Sequence, residues 1–358
     1  MNNRKMGLLE KTIASIRPLD EDARSRARAR LEQLTMPHWA LGRLMDLAEE
    51  LAAMTGSLKP PVARRCVVVM SGDHGIAKEG VSAYPADVTP QMVYNFVAGG
   101  AGINALSRVS NTRVVVVDMG VAADLSSLAL AGKIIDKKVG MGTRSFLSGP
   151  AMSREEAERS VEAGIEVAMS LGPETDLFGT GDMGIGNTTP SSAITSVVTG
   201  MPTAEVTGRG TGIGDEQLRH KVAAIEKGLT ANKPDPNDGV DVLAKVGGFE
   251  IGGIAGLILG AAAQGKPVLV DGFVSTAGAL IAQMIEPKSA LYMIAAHRSV
   301  EKGHRAALKR LGKEPLLDLD LRLGEGTGAA LAMCLVEASV RILTEVATFA
   351  EARVSEKS

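Results

Sequence analysis

The rhythm of apolar and polar positions changes near residue 60. Before it, Asp20 to Leu34 and Trp39 to Met54 carry apolar residues at helical spacing, with charged residues on the other faces. That pattern predicts amphipathic helices packed against a neighbour. Gly56 and Pro60-Pro61 close the section, because neither residue type continues a helix well. Beyond it the apolar residues come in short unbroken runs: Arg65 to Met70, Arg113 to Val117, Asp176 to Phe178, Pro267 to Val270 and Leu291 to Ala296. Runs this short, apolar on both faces, predict strands of a parallel sheet that is covered on both sides.

Helical stretches separate the runs. Arg154 to Leu171 opens with a capping box, Ser153 and Glu156, and stops at Gly172. Glu216 to Thr230, Gly253 to Gln264 and Thr276 to Ile285 are further helices. The alternation predicts a doubly wound, mostly parallel Rossmann-like α/β sheet with helices on both faces. A last helix, Gly328 to about Ala350, is expected to leave the sheet and pack with the first helices. The expected division is a small helical subdomain, residues 1–60 joined by about 335–358, beside an α/β catalytic domain, 61–334. There is no internal repeat.

Every expected strand ends in a polar cluster. These are Ser71-Gly72-Asp73-His74-Gly75, Asp118-Met119-Gly120, Gly179 to Gly184, Asp271-Gly272-Phe273 and His297-Arg298-Ser299. In open α/β sheets ligands bind beyond the carboxyl ends of the strands, so all five clusters fall on the ligand side.

Composition removes several function classes. A net charge of −2 and 3% aromatic residues leave neither the basic footprint nor the stacking platform of a nucleic-acid binder. The first residues lack the apolar core of a secretory signal. Ile251 to Ala263 is too short to span a bilayer. A cytoplasmic protein without membrane contact is expected. Cys66 and Cys334 read as two reduced core thiols.

Glycine is the outlier, with 41 residues gathered in short polar runs. Gly179, Gly181 and Gly184 form a GxGxxG after a strand. A nicotinamide-dinucleotide oxidoreductase could use it, with Glu205 for the ribose. A non-catalytic base- or nucleotide-binding protein is also open. Downstream, Thr189 as N-cap and Pro190 in the first turn predict a helix start whose N–H groups face an anion. A capped turn without ligand fits the same spacing. Gly208 to Gly212 is a third glycine run, followed by Lys221, a candidate phosphate contact or a solvated lysine. In Gly324-Glu325-Gly326-Thr327-Gly328 one carboxylate stands among glycines before a helix. The helix dipole would favour its ionised form, which suits a general base. A surface cap is the plain alternative. Asp73, His74, Asp118, Asp182 and Asp271 lack metal-ligand spacing, and loop-tying hydrogen bonds are expected of them. His297 and His304 read as polar loop or helix residues.

Taken in order, seven segments resemble the nicotinate-nucleotide–dimethylbenzimidazole phosphoribosyltransferase family of cobalamin lower-ligand assembly. They are Gly72 to Ile76, Val88 to Met92, Met183 to Thr189, Gly247 to Ile251, Val270 to Phe273, His297 to His304 and Arg322 to Gly328, within about Arg65 to Leu331. The resemblance implies transfer of phosphoribose from nicotinate mononucleotide to a benzimidazole-type base, without cofactor or metal, by a homodimer. It implies Glu325 as general base, with Asp182 as a second catalytic carboxylate where the family commonly has the longer Glu. It implies Ser82, Tyr84, Gln91, Met183 and Leu323 around the base. On the ribose-phosphate side it implies Gly184, Gly186, Asn187, Thr188, Lys221, Ser299, Gly324 and Gly326.

Overall fold

The computed structural model describes residues 6–355. Six strands, β1 (Arg65–Gly72), β2 (Arg113–Gly120), β3 (Ile135–Asp136), β4 (Leu177–Met183), β5 (Val268–Val270) and β6 (Met293–Ala295), form one sheet. Their order is β3-β2-β1-β4-β5-β6, and every pairing is parallel. The five expected strands are all present. β3 is an addition: two residues on an edge carry no apolar run to announce them. β1, β2 and β4 also run on into their polar clusters, because parallel backbone pairing continues there; Met70 pairs with Asp182 and Ser71 with Met183. The chain winds in opposite directions from β1 and β4, so the switch point lies between those two strands.

Two helices cross the sheet in close contact. Arg154–Leu171 keeps its capping box, with Ser153 Oγ accepting from Glu156 N–H at 3.1 Å. It packs on Phe249–Ala263, which runs over β1, β2 and β4. Their backbones meet at glycines. A Cβ on Gly256 would collide with the Val161 carbonyl, and one on Gly164 with the Gly253 carbonyl. Phe249–Ala263 starts four residues before the expected Gly253, with Gly248 at its cap.

The last helix, Thr327–Glu345, contacts β1, β4 and β5 and then leaves the sheet. Its far end, Ile342 and Leu343, joins Ala27, Leu31, Leu34, Met45, Ala48 and Ala52 in a second apolar cluster. Those residues belong to helices Glu21–Leu31 and Arg43–Thr55 and the turn after the first. Leu47, Leu51 and Met54 of the second helix sit in the main core instead. The long helix ends five residues before Ala350, since Thr348 and Glu351 form a capping box that starts a new short helix, Phe349–Ala352. By length and apolarity Thr327–Glu345 could cross a membrane, but 61% of its apolar window is buried in this fold.

Of the two cysteines only Cys66 is a core thiol, and burial pushes its pKa up to about 11. Cys334, in the last helix, is exposed, which corrects the expectation of two buried thiols.

Gly256→Ala is expected to lower the thermal midpoint, because overpacking of this kind costs about 1–3 kcal/mol. An unchanged midpoint in thermal unfolding would show that the two helices can separate freely.

Candidate active site

A cavity of about 520 Å³ opens beyond the carboxyl ends of β1, β4, β5 and β6, at the switch point. Two loops contribute to its wall, and both contact Asp182. One is the turn from the end of β4 into helix Thr188–Thr199; the other is Arg322 to Gly326, entering the last helix.

The second loop is held in an unusual backbone state. Gly324, Glu325 and Gly326 have φ of 80°, 62° and 88°. Glycine adopts these values freely, but Glu325 has a Cβ, which costs roughly 1–2 kcal/mol there. The surroundings fix the turn. Asp271, just past β5, accepts the N–H of Gly326 (3.2 Å) and of Ala329 (2.9 Å). The Glu325 N–H donates to the Asp182 carbonyl at 3.3 Å. The Glu325 carboxylate, 5% exposed, accepts from Ile103 N–H at 3.0 Å, at the start of helix Gly102–Val109.

Burial raises the Glu325 pKa above its ordinary value, opposed by the Ile103 N–H and assisted by the charge of Asp271. The sequence-based expectation that a helix N-terminus would favour its ionised form holds for that one influence, not for the net shift. A helix start does face this carboxylate, but desolvation outweighs it. Asp182 is also buried, and its pKa is raised well above normal by desolvation and then by Asp271 and Glu250. The Asn187 amide donates to Asp182 Oδ2 at 3.0 Å and works the other way.

Helix Thr188–Thr199 begins two residues earlier than foreseen. Asn187 occupies the cap position with its side chain committed to Asp182. Thr189, the expected cap, lies inside the first turn with its hydroxyl unpartnered. Lys221, from helix Asp215–Asn232, is buried behind this turn and donates to Thr188 Oγ1 at 2.7 Å. Burial lowers its pKa to about 8, against the pull of Glu301.

Asp182, Met183, Gly184, Gly186, Asn187 and Thr188 line the cavity on the β4 side. Ser82, Tyr84, Ser299, Leu323, Gly324 and Glu325 line it elsewhere. Three residues singled out in the sequence do not. Gln91 is exposed, and its helix Val88–Ala98 presents Val88 and Met92 instead. Lys221 acts from behind Thr188. Gly326 packs against Val67 and Thr180 and sends its N–H to Asp271.

Sequence reasoning passed over Glu301, Arg322, Phe273 and Thr211, which also line the cavity, and took His297 for an ordinary loop residue. Phe273, His297 and Glu301 stand in or near strand-end clusters, and Thr211 and Arg322 in glycine runs before helices, which is the signal that could have marked them. Asp73 and Asp118 tie loops: Asp73 accepts from Ala122 N–H at 2.8 Å and Asp118 from Val121 N–H at 2.9 Å. Among the described residues no three His, Cys, Asp or Glu side chains gather as a metal site.

A phosphoribosyltransferase family model matches residues 16–354. A nicotinate-nucleotide–dimethylbenzimidazole phosphoribosyltransferase from Syntrophotalea carbinolica is 62% identical over 351 residues, 98% of this chain and 99% of that protein. One so named from Desulfotalea psychrophila is 57% identical over the same shares. The chain belongs to this family. The crystal structure of the Thermus thermophilus enzyme of that name superposes with a TM-score of 0.89 at 45% identity, covering 95% of this chain and 100% of that one. The protein is thus a phosphoribosyl-transferring enzyme, and the dinucleotide reading of its GxGxxG falls. Gly179 and Gly181 lie inside β4, paired with Val67 and Val69, rather than in a phosphate-binding turn. They are small so that the last helix can approach: a Cβ on Gly181 would stand 2.6 Å from the Glu325 carbonyl oxygen.

Two variants isolate the backbone strain in this phosphoribosyltransferase. Glu325→Gly and Glu325→Ala both remove the carboxylate, but only Ala keeps a Cβ at positive φ. Glu325→Gly should be the more stable by about 1 kcal/mol in denaturant unfolding. Equal stability would remove the strain argument.

Proposed function

We propose that the enzyme transfers the phosphoribosyl group of nicotinate mononucleotide to 5,6-dimethylbenzimidazole, or a related base. The products are α-ribazole 5′-phosphate and nicotinate, with inversion at C1′, in cobalamin nucleotide-loop assembly. The observation that carries this reading is one cavity lined by both a fixed carboxylate, Glu325, and a glycine-rich helix start. Full-length similarity to enzymes of that name supports it.

In this scheme the Gly184–Thr188 turn and the helix it opens hold the phosphate by backbone N–H groups, with Thr188 backed by Lys221 and with Ser299 on the facing wall. Met183, Leu323, Ser82 and Tyr84 surround the base. The donor's bond from C1′ to the pyridinium nitrogen breaks, and its electron pair returns to the ring, so nicotinate leaves without a charged nitrogen. Such a leaving group calls for no metal assistance. The lone pair of one benzimidazole nitrogen bonds to C1′ from the opposite face. The other ring N–H becomes acidic as that bond forms, and Glu325 takes its proton. Holding the two reactants in line contributes alongside this base catalysis. Asp182 is the second carboxylate of the scheme, close to where positive charge builds on the ribose.

On the same reading the protein is a homodimer, as its sequence resemblance implies, and acts in the cytoplasm. The second apolar cluster supports treating the N-terminal helices and the chain's end as a subdomain.

Nicotinate should be released from nicotinate mononucleotide only when an aromatic base is supplied, and at an unchanged rate after chelator treatment. Glu325→Gln should bind donor and base in calorimetry yet lose about 10²–10⁴-fold in turnover; full activity in that variant would remove Glu325 from the mechanism. A base must be ionised to act, so turnover should fall as pH drops through the Glu325 pKa. Because burial raises that pKa, the midpoint of the fall should lie above 4.5. A limb at or below 4.5 in the pH profile would contradict the assignment.

A further inference from the structure

His297 is a polar wall residue whose chemistry nothing so far uses. It follows β6, lines the cavity, and is 1% exposed. Neither ring nitrogen has a hydrogen-bond partner. Buried polar groups nearly always have one, and leaving them without costs appreciable free energy. The neighbouring His304 is just as deep and fully satisfied: its Nδ1 accepts from Ser299 N–H at 2.8 Å and its Nε2 meets Thr276 Oγ1 at 2.9 Å. Since Nδ1 is the acceptor there, Nε2 carries the proton. His304 is therefore a packed, neutral structural histidine, and burial lowers its pKa to about 3.

The seat of His297 is specific. Gly272 and Gly328 flank the ring; a Cβ at Gly272 would come within 3.1 Å of Nε2, and one at Gly328 would collide with the ring. Nε2 lies 3.7 Å from Asp271 Oδ1. A small rotation brings Nε2–H onto that carboxylate, which accounts for one nitrogen. Nδ1 would still lack a partner within the chain.

We propose that His297 is a further substrate-binding residue, whose ring, braced on Asp271, hydrogen-bonds a ribose hydroxyl of the phosphoribosyl donor. This rests on the donor assigned above. A ribose hydroxyl fits because it can both donate and accept, so it can complete Nδ1. The ring's position also suits the sugar, since His297 lines the same cavity as Ser299, assigned above to the phosphate, and Glu325, assigned to the base.

The test measures donor dissociation constants by calorimetry, without acceptor base, for wild type and His297→Asn. His297→Gln serves as the second variant should the first not fold, and thermal midpoints are taken for each. The probes are nicotinate mononucleotide, its 2′-deoxy and 3′-deoxy forms, and ribose 5-phosphate. His297→Asn should weaken nicotinate mononucleotide and ribose 5-phosphate about tenfold, roughly one hydrogen bond's worth. Against one of the two deoxy donors the loss should vanish, because each change removes the same contact. The Michaelis constant for the base should not move. Equal losses for all four probes, or none, would overturn the proposal; so would a fall in turnover with donor affinity intact, which would mean that the ring only props Asp271. Failure of wild type to bind nicotinate mononucleotide while binding ribose 5-phosphate would fault the donor assignment instead, and the ribose 5-phosphate comparison would still decide on His297.

Discussion

The site depends on one carboxylate that touches no solvent. Asp271 closes β5 and takes two backbone N–H groups from the first turn of the last helix, at Gly326 and Ala329. Those N–H groups have no partner within their own helix. Capping them from another strand locks the helix onto the sheet and places Glu325 between two fixed points. Positive φ at Glu325, the one of the three turn residues that bears a Cβ, survives only under such constraint. The same charge raises the proton affinity of both Asp182 and Glu325. One buried carboxyl group therefore fixes the shape of the catalytic turn and adds to the effect of burial on both neighbouring carboxyls.

Much of the sheet was legible in the sequence because parallel strands buried on both faces must be apolar throughout. Val67 to Met70 shows this directly, with 0% exposure at each residue. The capping box at Ser153 was legible for a similar reason: it is a local chemical pattern, and local patterns do not depend on the rest of the fold. β3 escaped because its two residues are positioned by β2 rather than by their own preference.

The site was legible only in part. Glycine-flanked Glu325 and the Asn187–Thr188 turn drew notice as local motifs, and seven ordered segments gave them meaning. The roles of Lys221 and Gly326 were assigned as if each faced a ligand, whereas each supports a neighbour: Lys221 stands behind Thr188, and Gly326 gives its N–H to Asp271. Sequence spacing cannot tell a wall from the layer behind it. Likewise the ionisation expected of Glu325 followed from the nearby helix start, while the larger influence, desolvation, depends on how the whole fold encloses the carboxylate.

The last helix joins the two apolar clusters physically. Its 19 residues make a rod of about 28 Å, with the strained turn fastened to one end and the packing of Ile342 and Leu343 against the N-terminal helices at the other. A helix cannot melt at its middle and keep both ends in register. Loosening the distant helical cluster therefore frees one end of the lever that positions Glu325. The N-terminal helices, although they supply nothing to the cavity wall, belong to the same cooperative unit as the chemistry.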